Sequence, residues 1–149
     1  MLKDFLARLS EPQKRLLLEI LKERYQDELR DARLAEKAAE GVPYAHLRAK
    51  LKEIAERERR HAELLEKKIK ELGGQVPPPP EVPEGATWQE LLEALESEKA
   101  DRVAYIEEAF GTGDPEIEAL FQQIKEEEEQ NYKELLEVIT RLDPYAEGA

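Results

Sequence analysis

The 149-residue sequence contains no cysteine, which excludes disulfides, zinc fingers, iron–sulfur clusters and rubredoxin-type iron sites from this chain. Aromatic residues make up only 6% and charged residues 39%, a balance that suits long solvated helices better than sheets. No apolar run approaches the roughly 20 residues that span a bilayer, and no signal-peptide pattern opens the sequence. We therefore expect one cytoplasmic domain, residues 1–149, with no membrane partner.

Acidic residues outnumber basic ones, and thermolabile residues are scarce. The net charge is −12, with 23 Lys and Arg against 35 Asp and Glu, which argues against nucleic acid as a partner. Methionine occurs once, and the single asparagine is Asn131. Abundant Glu, Lys and Arg beside so few thermolabile residues are typical of proteins from thermophiles.

Helix start and stop signals divide the sequence into four amphipathic segments. Ser10 and Gln13 form a capping box with a proline in the first turn, and Thr87 with Glu90 forms a second. Glycine or proline follows the periodic apolar pattern of each segment. These signals predict helices over 11–41, 44–72, 87–111 and 115–142, which make two helical hairpins, 11–72 and 87–142.

The two hairpins resemble each other, and a proline-rich linker joins them. At an offset of 70 residues the apolar positions of the second and fourth helices coincide, as do those of the first and third. The linker, residues 73–86, cannot be helical, and its 14 residues reach roughly 40 Å in polyproline II geometry. A helix of about 28 residues has that length at 1.5 Å per residue. The linker therefore predicts a duplicated hairpin arranged as an up-down-down-up bundle.

Glutamates interrupt the apolar seam near the middle of each predicted helix, at Glu28, Glu58, Glu98 and Glu128. Four converging carboxylates repel one another unless cations or protons neutralise them. Glu58-x-x-His61 also places a carboxylate and an imidazole one turn apart, where both can bind one metal ion. In so acidic a chain each of these residues alone is unremarkable, so the prediction of two metal ions depends on the four positions together.

The second hairpin carries Asn131 where the first carries His61. An asparagine carbonyl oxygen can ligate a hard cation, although it binds iron less well than imidazole does. Alternatively, its amide could form a hydrogen bond with a neighbouring carboxylate. A shift of one residue would present Glu129 and Tyr132 as ligands instead, which ranks second because Glu128 and Asn131 continue the apolar seam.

The first hairpin, which contains "ERYQDELRDARLAEK" and "LKEIAERERRHAELL", resembles the ferritin-like superfamily. It is particularly similar to rubrerythrins and to the ferritin-like domains of vacuolar-iron-transporter-type membrane proteins. The resemblance extends over about residues 11–142 and is weaker in the second hairpin. It implies that Glu28, Glu58, His61 and Glu98 bind metal and that Tyr105 is a hydrogen-bond donor beside them.

The resemblance implies an all-α ferritin-like four-helix bundle, built from two duplicated helical hairpins with a long Pro-rich crossover. It also implies two bound metal ions, iron in preference to manganese or zinc, with ferroxidase or rubrerythrin-like peroxide-reducing oxidoreductase activity on dioxygen or peroxide. We further expect a homo-oligomer, a dimer or larger. The alternative is a non-catalytic ferritin-like binding or scaffold module with a degenerate or single-metal site.

Overall fold

The protein folds as an all-α four-helix bundle in a computed structural model that describes residues 9–82, 87–94 and 115–142. Helix α1 spans Glu11–Gly41, α2 spans Ala45–Glu71 and α4 spans Pro115–Leu142. Within the described residues, helix α3 comprises 88–94. In these ranges none of the helices is both long and apolar enough to cross a membrane.

Helices α1 and α3 begin at the capping boxes that the sequence predicts. At the start of α1, the Gln13 backbone N–H donates to Ser10 Oγ at 3.3 Å, and the Ser10 N–H donates to Gln13 Oε1 at 2.8 Å. At the start of α3, the Glu90 backbone N–H donates to Thr87 Oγ1 at 3.3 Å. Each contact occupies a first-turn backbone donor that has no partner within its own helix, and so fixes where the helix starts.

Two glycines end α2 and turn the chain back toward α1. Gly73 has a φ of 77°, a left-handed conformation that is strained for residues with a Cβ atom. The Gly74 backbone N–H donates to the Ile69 carbonyl at 2.9 Å. A Cβ atom at Gly74 would lie 2.6 Å from Leu18 Cδ2, so a larger residue there would require the Leu18 side chain to shift.

The linker then runs lengthwise along α1. Gln26 Nε2 donates to the Pro78 carbonyl at 3.2 Å, and two turns further along the helix Arg33 Nη1 donates to the Pro80 carbonyl at 2.8 Å. Side chains of α1 thus supply donors that a run of prolines cannot supply for itself. The described part of the linker therefore travels toward the end of the bundle where α1 ends, as its predicted length requires.

The apolar core consists of two clusters at different heights in the bundle. The upper cluster contains the second half of α1, the first half of α2, Leu91 and the end of α4. The lower cluster contains the first half of α1, the second half of α2 and the first half of α4. Between them, α1, α2 and α4 each turn buried polar side chains toward the bundle interior.

Candidate metal centre

Polar side chains fill the layer between the two apolar clusters. The solvent-exposed fraction is 0% for four of them and 1% for His61; the four are Glu28, Asp31, Glu58 and Asn131. Glu28 and Asp31 on α1, like Glu58 and His61 on α2, are three residues apart and so share one helical face. Buried ionisable groups in such number are costly unless protons, hydrogen bonds or a metal ion compensate for their charge.

Glu28, Glu58 and His61 together could hold one metal ion. One ligand atom from each residue lies within 4.8 Å of the others, and all three residues are buried. His61 Nδ1 lies 3.3 Å from Glu28 Oε2. Two carboxylates and one imidazole form a donor set that suits a first-row divalent metal.

A second group meets the same distance limit, and it contains no nitrogen. It consists of Asp31, Glu58 and Glu128, of which Glu128 is half-buried. Glu58 belongs to both groups, so its carboxylate could take part in metal binding in either of them.

The Glu58 carboxylate shows how well this layer suits a cation. Burial raises its pKa well above the ordinary value of 4.5, and the neighbouring carboxylates, first among them Glu28, raise it further. One of its oxygens, Oε2, is buried and receives no hydrogen bond in the described part of the chain. A bound metal ion would give this oxygen a positive partner, so these residues fit a metal ion.

His61 lies between carboxylates from two helices. Its Nδ1 faces Glu28 on α1, and its Nε2 contacts the carboxylate of Glu127 on α4. Burial lowers the pKa of His61, but the contacts with Glu28 and Glu127 outweigh burial and raise the pKa above 6.5. A carboxylate behind a metal-bound imidazole fixes the orientation of the ring and strengthens it as a ligand. Glu127 therefore lies where it can support His61 as a ligand.

Asn131 has hydrogen bonds on both sides of its amide. Its Nδ2 donates to Glu58 Oε1 at 2.8 Å, and its Oδ1 accepts from Arg57 Nη1 at 2.8 Å. The Arg57 guanidinium is held in turn by Glu134, at 2.7 Å, and by Glu53. The amide contact with a carboxylate, one of the two roles that the sequence leaves open for Asn131, is present in this structure.

The structure places two of the remaining predicted site residues and does not describe the other two. Glu98 and Tyr105 fall outside the described residues. Glu129 is exposed, and Tyr132 is half-buried and packs against the upper apolar cluster. The structure therefore brings together Glu28, Glu58, His61, Glu128 and Asn131, and it leaves Glu129 and Tyr132 away from the layer.

Three residues of the site do not emerge from the sequence reasoning. Asp31 follows Glu28 by three residues, and Asp101 follows Glu98 in the same way, a repeated Glu-x-x-Asp pattern that could have indicated a ligand. Arg57 and Glu127 each directly precede a seam glutamate. Nothing in their local sequence distinguishes them from the many solvated charges on these helices.

The protein thus belongs to the class of helical bundles with a carboxylate-rich cluster that could hold a metal ion. A family model described as "Ferritin-like domain" matches residues 34–144, which is most of the chain. The chain therefore belongs to the ferritin-like domain family, and the predicted ferritin-like four-helix fold is confirmed. No curated protein and no solved structure matches the chain.

Proposed function

We propose that the protein is a di-metal carboxylate protein that binds two iron ions and acts as a ferroxidase or a rubrerythrin-like peroxide reductase. The observation that carries the proposal is the position of Glu58, buried and common to two sets of ligand atoms that each could hold an ion. The four acidic side chains that this layer brings together, Glu28, Asp31, Glu58 and Glu128, are compatible with a stable fold if cations neutralise them. Membership of the ferritin-like family supports a metal as that cation.

The two ions would have different ligands. Glu28, Glu58 and His61 would hold the first ion, and Asp31, Glu58 and Glu128 the second. On the sequence repeat, Glu98 would add a further carboxylate, although it lies outside the described residues. The first position offers a nitrogen ligand and the second offers oxygen ligands, so the first should bind iron more tightly.

When bound, iron supplies the redox chemistry toward dioxygen or peroxide. The chain's own residues prepare the place for it: carboxylates supply compensating negative charge, and the apolar clusters above and below keep bulk water out. Glu127 is 38% exposed and contacts His61, so it connects the buried imidazole with solvent. Because the chain has no cysteine, electrons must come from Fe(II) itself or from a separate protein.

One observation favours the alternative of a non-catalytic ferritin-like binding module. Where the repeat would place a second imidazole, the Asn131 amide donates a hydrogen bond to Glu58. The half of the centre that contains Asn131 therefore offers weaker metal ligands than the half that contains His61. A protein of this kind could hold metal without oxidising it quickly.

Fe(II) oxidation separates the two functions. Protein loaded anaerobically with Fe(II) and then mixed with dioxygen should form Fe(III) faster than Fe(II) in protein-free buffer. His61→Ala should reduce the initial rate at least about tenfold, because it removes the imidazole ligand of the first position. The measurement is stopped-flow absorbance of Fe(III).

His46→Ala is the matched control, because His46 is the only other histidine and is exposed near the start of α2. It should leave the oxidation rate unchanged. Protein that retains iron but oxidises it no faster than buffer would establish the binding module instead. Protein that retains no iron would refute both functions.

A further inference from the structure

Two pairs of side chains flank the centre, and they occupy equivalent positions in the sequence repeat. On one side, Glu127 of α4 contacts His61 of α2. On the other side, Arg57 of α2 donates to Asn131 of α4. The offset of 70 residues relates Arg57 to Glu127 and His61 to Asn131, so the same two positions meet twice with different residues. Both residues of the pair therefore differ between the two halves of the repeat.

Each pair is chemically matched, and a metal-bound histidine would not tolerate Arg57 as its outer partner. An imidazole N–H needs an acceptor, which the Glu127 carboxylate provides. The asparagine carbonyl needs a donor, which the Arg57 guanidinium provides. A histidine opposite Arg57 would meet a cation that accepts no hydrogen bond and that lowers the basicity of the imidazole. Arg57 is therefore specific for the amide.

The two contacts of Asn131 fix the direction of its amide. The opposite orientation would place the NH₂ group against a guanidinium and the carbonyl against a carboxylate, and both contacts would then be lost. In the observed orientation Asn131 Oδ1 is occupied by Arg57, and Nδ2 has no lone pair to offer a metal. Its N–H instead restrains Glu58 Oε1.

Arg57 is itself held firmly enough to set this orientation. Its guanidinium donates to Glu134 at 2.7 Å and also contacts Glu53 one turn earlier on α2. Lys50 binds the same two carboxylates, at 3.1 Å from Glu134 and 3.0 Å from Glu53. The Arg57 and Glu134 side chains are 19% and 20% exposed, so the contact between them is largely shielded from solvent. The hydrogen bonds form a chain from the surface through Arg57 and Asn131 to Glu58.

We propose that Arg57 and Asn131 act as a unit that has replaced a metal-binding imidazole and its supporting carboxylate with a hydrogen-bonded support for Glu58. Asn131 is then a positioning residue and not a ligand. The inference rests on the proposed function, because it concerns how the centre divides its affinity between two ions. It states that Asn131→His alone does not restore a symmetric centre, and that Arg57 must change with it.

The test compares wild-type protein, Asn131→His, Arg57→Gln and the double variant in anaerobic titrations with Co(II). Glutamine suits position 57 because its carbonyl accepts an imidazole N–H without adding a third carboxylate beside Glu53 and Glu134. Isothermal titration calorimetry gives the affinity of each ion. Proton NMR counts the exchangeable, paramagnetically shifted N–H signals, one for each Co(II)-bound imidazole.

We expect wild-type protein to bind one Co(II) tightly and a second more weakly, with one shifted imidazole signal. Each single variant should leave the second affinity within about threefold of wild type and add no signal. The double variant should tighten the second ion by at least about tenfold, the usual effect of an outer partner on a metal-bound histidine, and should show two signals. The gain of the double variant over the two single variants measures the coupling.

Two results would overturn the inference while leaving the proposed function intact. In the first, Asn131→His alone tightens the second ion and adds the second signal, which would show that Arg57 plays no part. In the second, the double variant binds Co(II) as wild-type protein does. Wild-type protein that binds no Co(II), Fe(II) or Zn(II) would instead refute the proposed function, and the inference with it.

A second pair of variants keeps the inference testable if the double variant does not fold. Arg57→Met removes the donor to Asn131, whereas Arg57→Lys keeps a cation that can donate. Arg57→Met should weaken the tightly bound Co(II) by about tenfold because Glu58 loses its restraint, and Arg57→Lys should restore most of that affinity. Unchanged affinity in Arg57→Met would show that Arg57 does not position Glu58 through Asn131.

Discussion

Glu58→Gln is expected to abolish the binding of both metal ions and, at the same time, to stabilise the metal-free protein. Glu58 is the residue that both candidate ligand groups contain. Glutamine keeps an oxygen for the Asn131 amide, and its new NH₂ group can donate to the Glu28 carboxylate. Both affinities should fall at least about 100-fold, beyond the range found for residues that only support a ligand.

The gain in stability follows from the loss of a buried, repelled carboxylate. Glutamine carries no charge at this fully buried position, so we expect the free energy of unfolding of the metal-free protein to rise by about 1–3 kcal/mol. Chemical denaturation in the presence of a chelator measures it. Glu129→Gln is the control, because it makes the same change at an exposed position and should stay within about 0.5 kcal/mol. A Glu58→Gln protein that retains two ions would contradict the assignment of Glu58.

Removal of metal is expected to lower the melting temperature of wild-type protein by about 5–10 °C. An ion present at a hundred times its dissociation constant stabilises the native state by about 2.7 kcal/mol. For a protein of this size each kcal/mol corresponds to roughly 2–4 °C. Calorimetric melts with iron and with excess chelator measure the difference, and Glu58→Gln should show almost none. Coincident melts of the wild-type protein would mean that the centre holds no metal of structural importance.

The stability of the metal-free protein should also depend on pH, and bound metal should remove this dependence. The pKa of Glu58 is raised, so the stability that its proton contributes is complete below 4.5 and is lost as the pH rises through the folded-state pKa. The pKa of His61 is also raised, so its contribution is lost above 6.5. The lowered pKa of Glu134 acts in the opposite sense but only below 4.5. Metal-free protein should therefore become less stable from about pH 5 to pH 8, whereas metal binding strengthens as its ligands lose protons.

The fold could be predicted from the sequence because its signals are local. The capping boxes at Ser10 and Thr87 and the glycines after α2 act on the backbone within a few residues of themselves. The linker's length and its prolines similarly limit where the chain can go. The family match confirms the ferritin-like bundle that these signals predict.

The site could be predicted only in part, because its remaining contacts connect different helices. Periodicity indicates that Glu28, Glu58 and Asn131 face inward, and the structure buries all three. It does not indicate that Arg57, half-buried beside the seam, reaches Asn131 on another helix. The direction of the Asn131 amide depends on that contact, so the sequence leaves open whether the residue is a ligand or a support.

Asp31 illustrates a different limit. Helices α1 and α2 carry many other acidic and basic residues, and most such charges are solvated, so the sequence does not distinguish Asp31 from them. Its burial becomes apparent when α1 packs against the other helices and Asp31 lies near Glu58 and Glu128. The spacing of three residues from Glu28 is the sequence signal that could have indicated Asp31 as a candidate ligand.

The most direct test of the central claim, that Glu58 lies between two bound ions, is anomalous X-ray scattering from crystals of iron-loaded protein. The account predicts two iron peaks, one on each side of the Glu58 carboxylate. The peak beside Glu28 should contact His61, and the peak beside Asp31 and Glu128 should have no contact with Asn131. Iron peaks confined to exposed carboxylates, with none in the layer between the apolar clusters, would contradict the account.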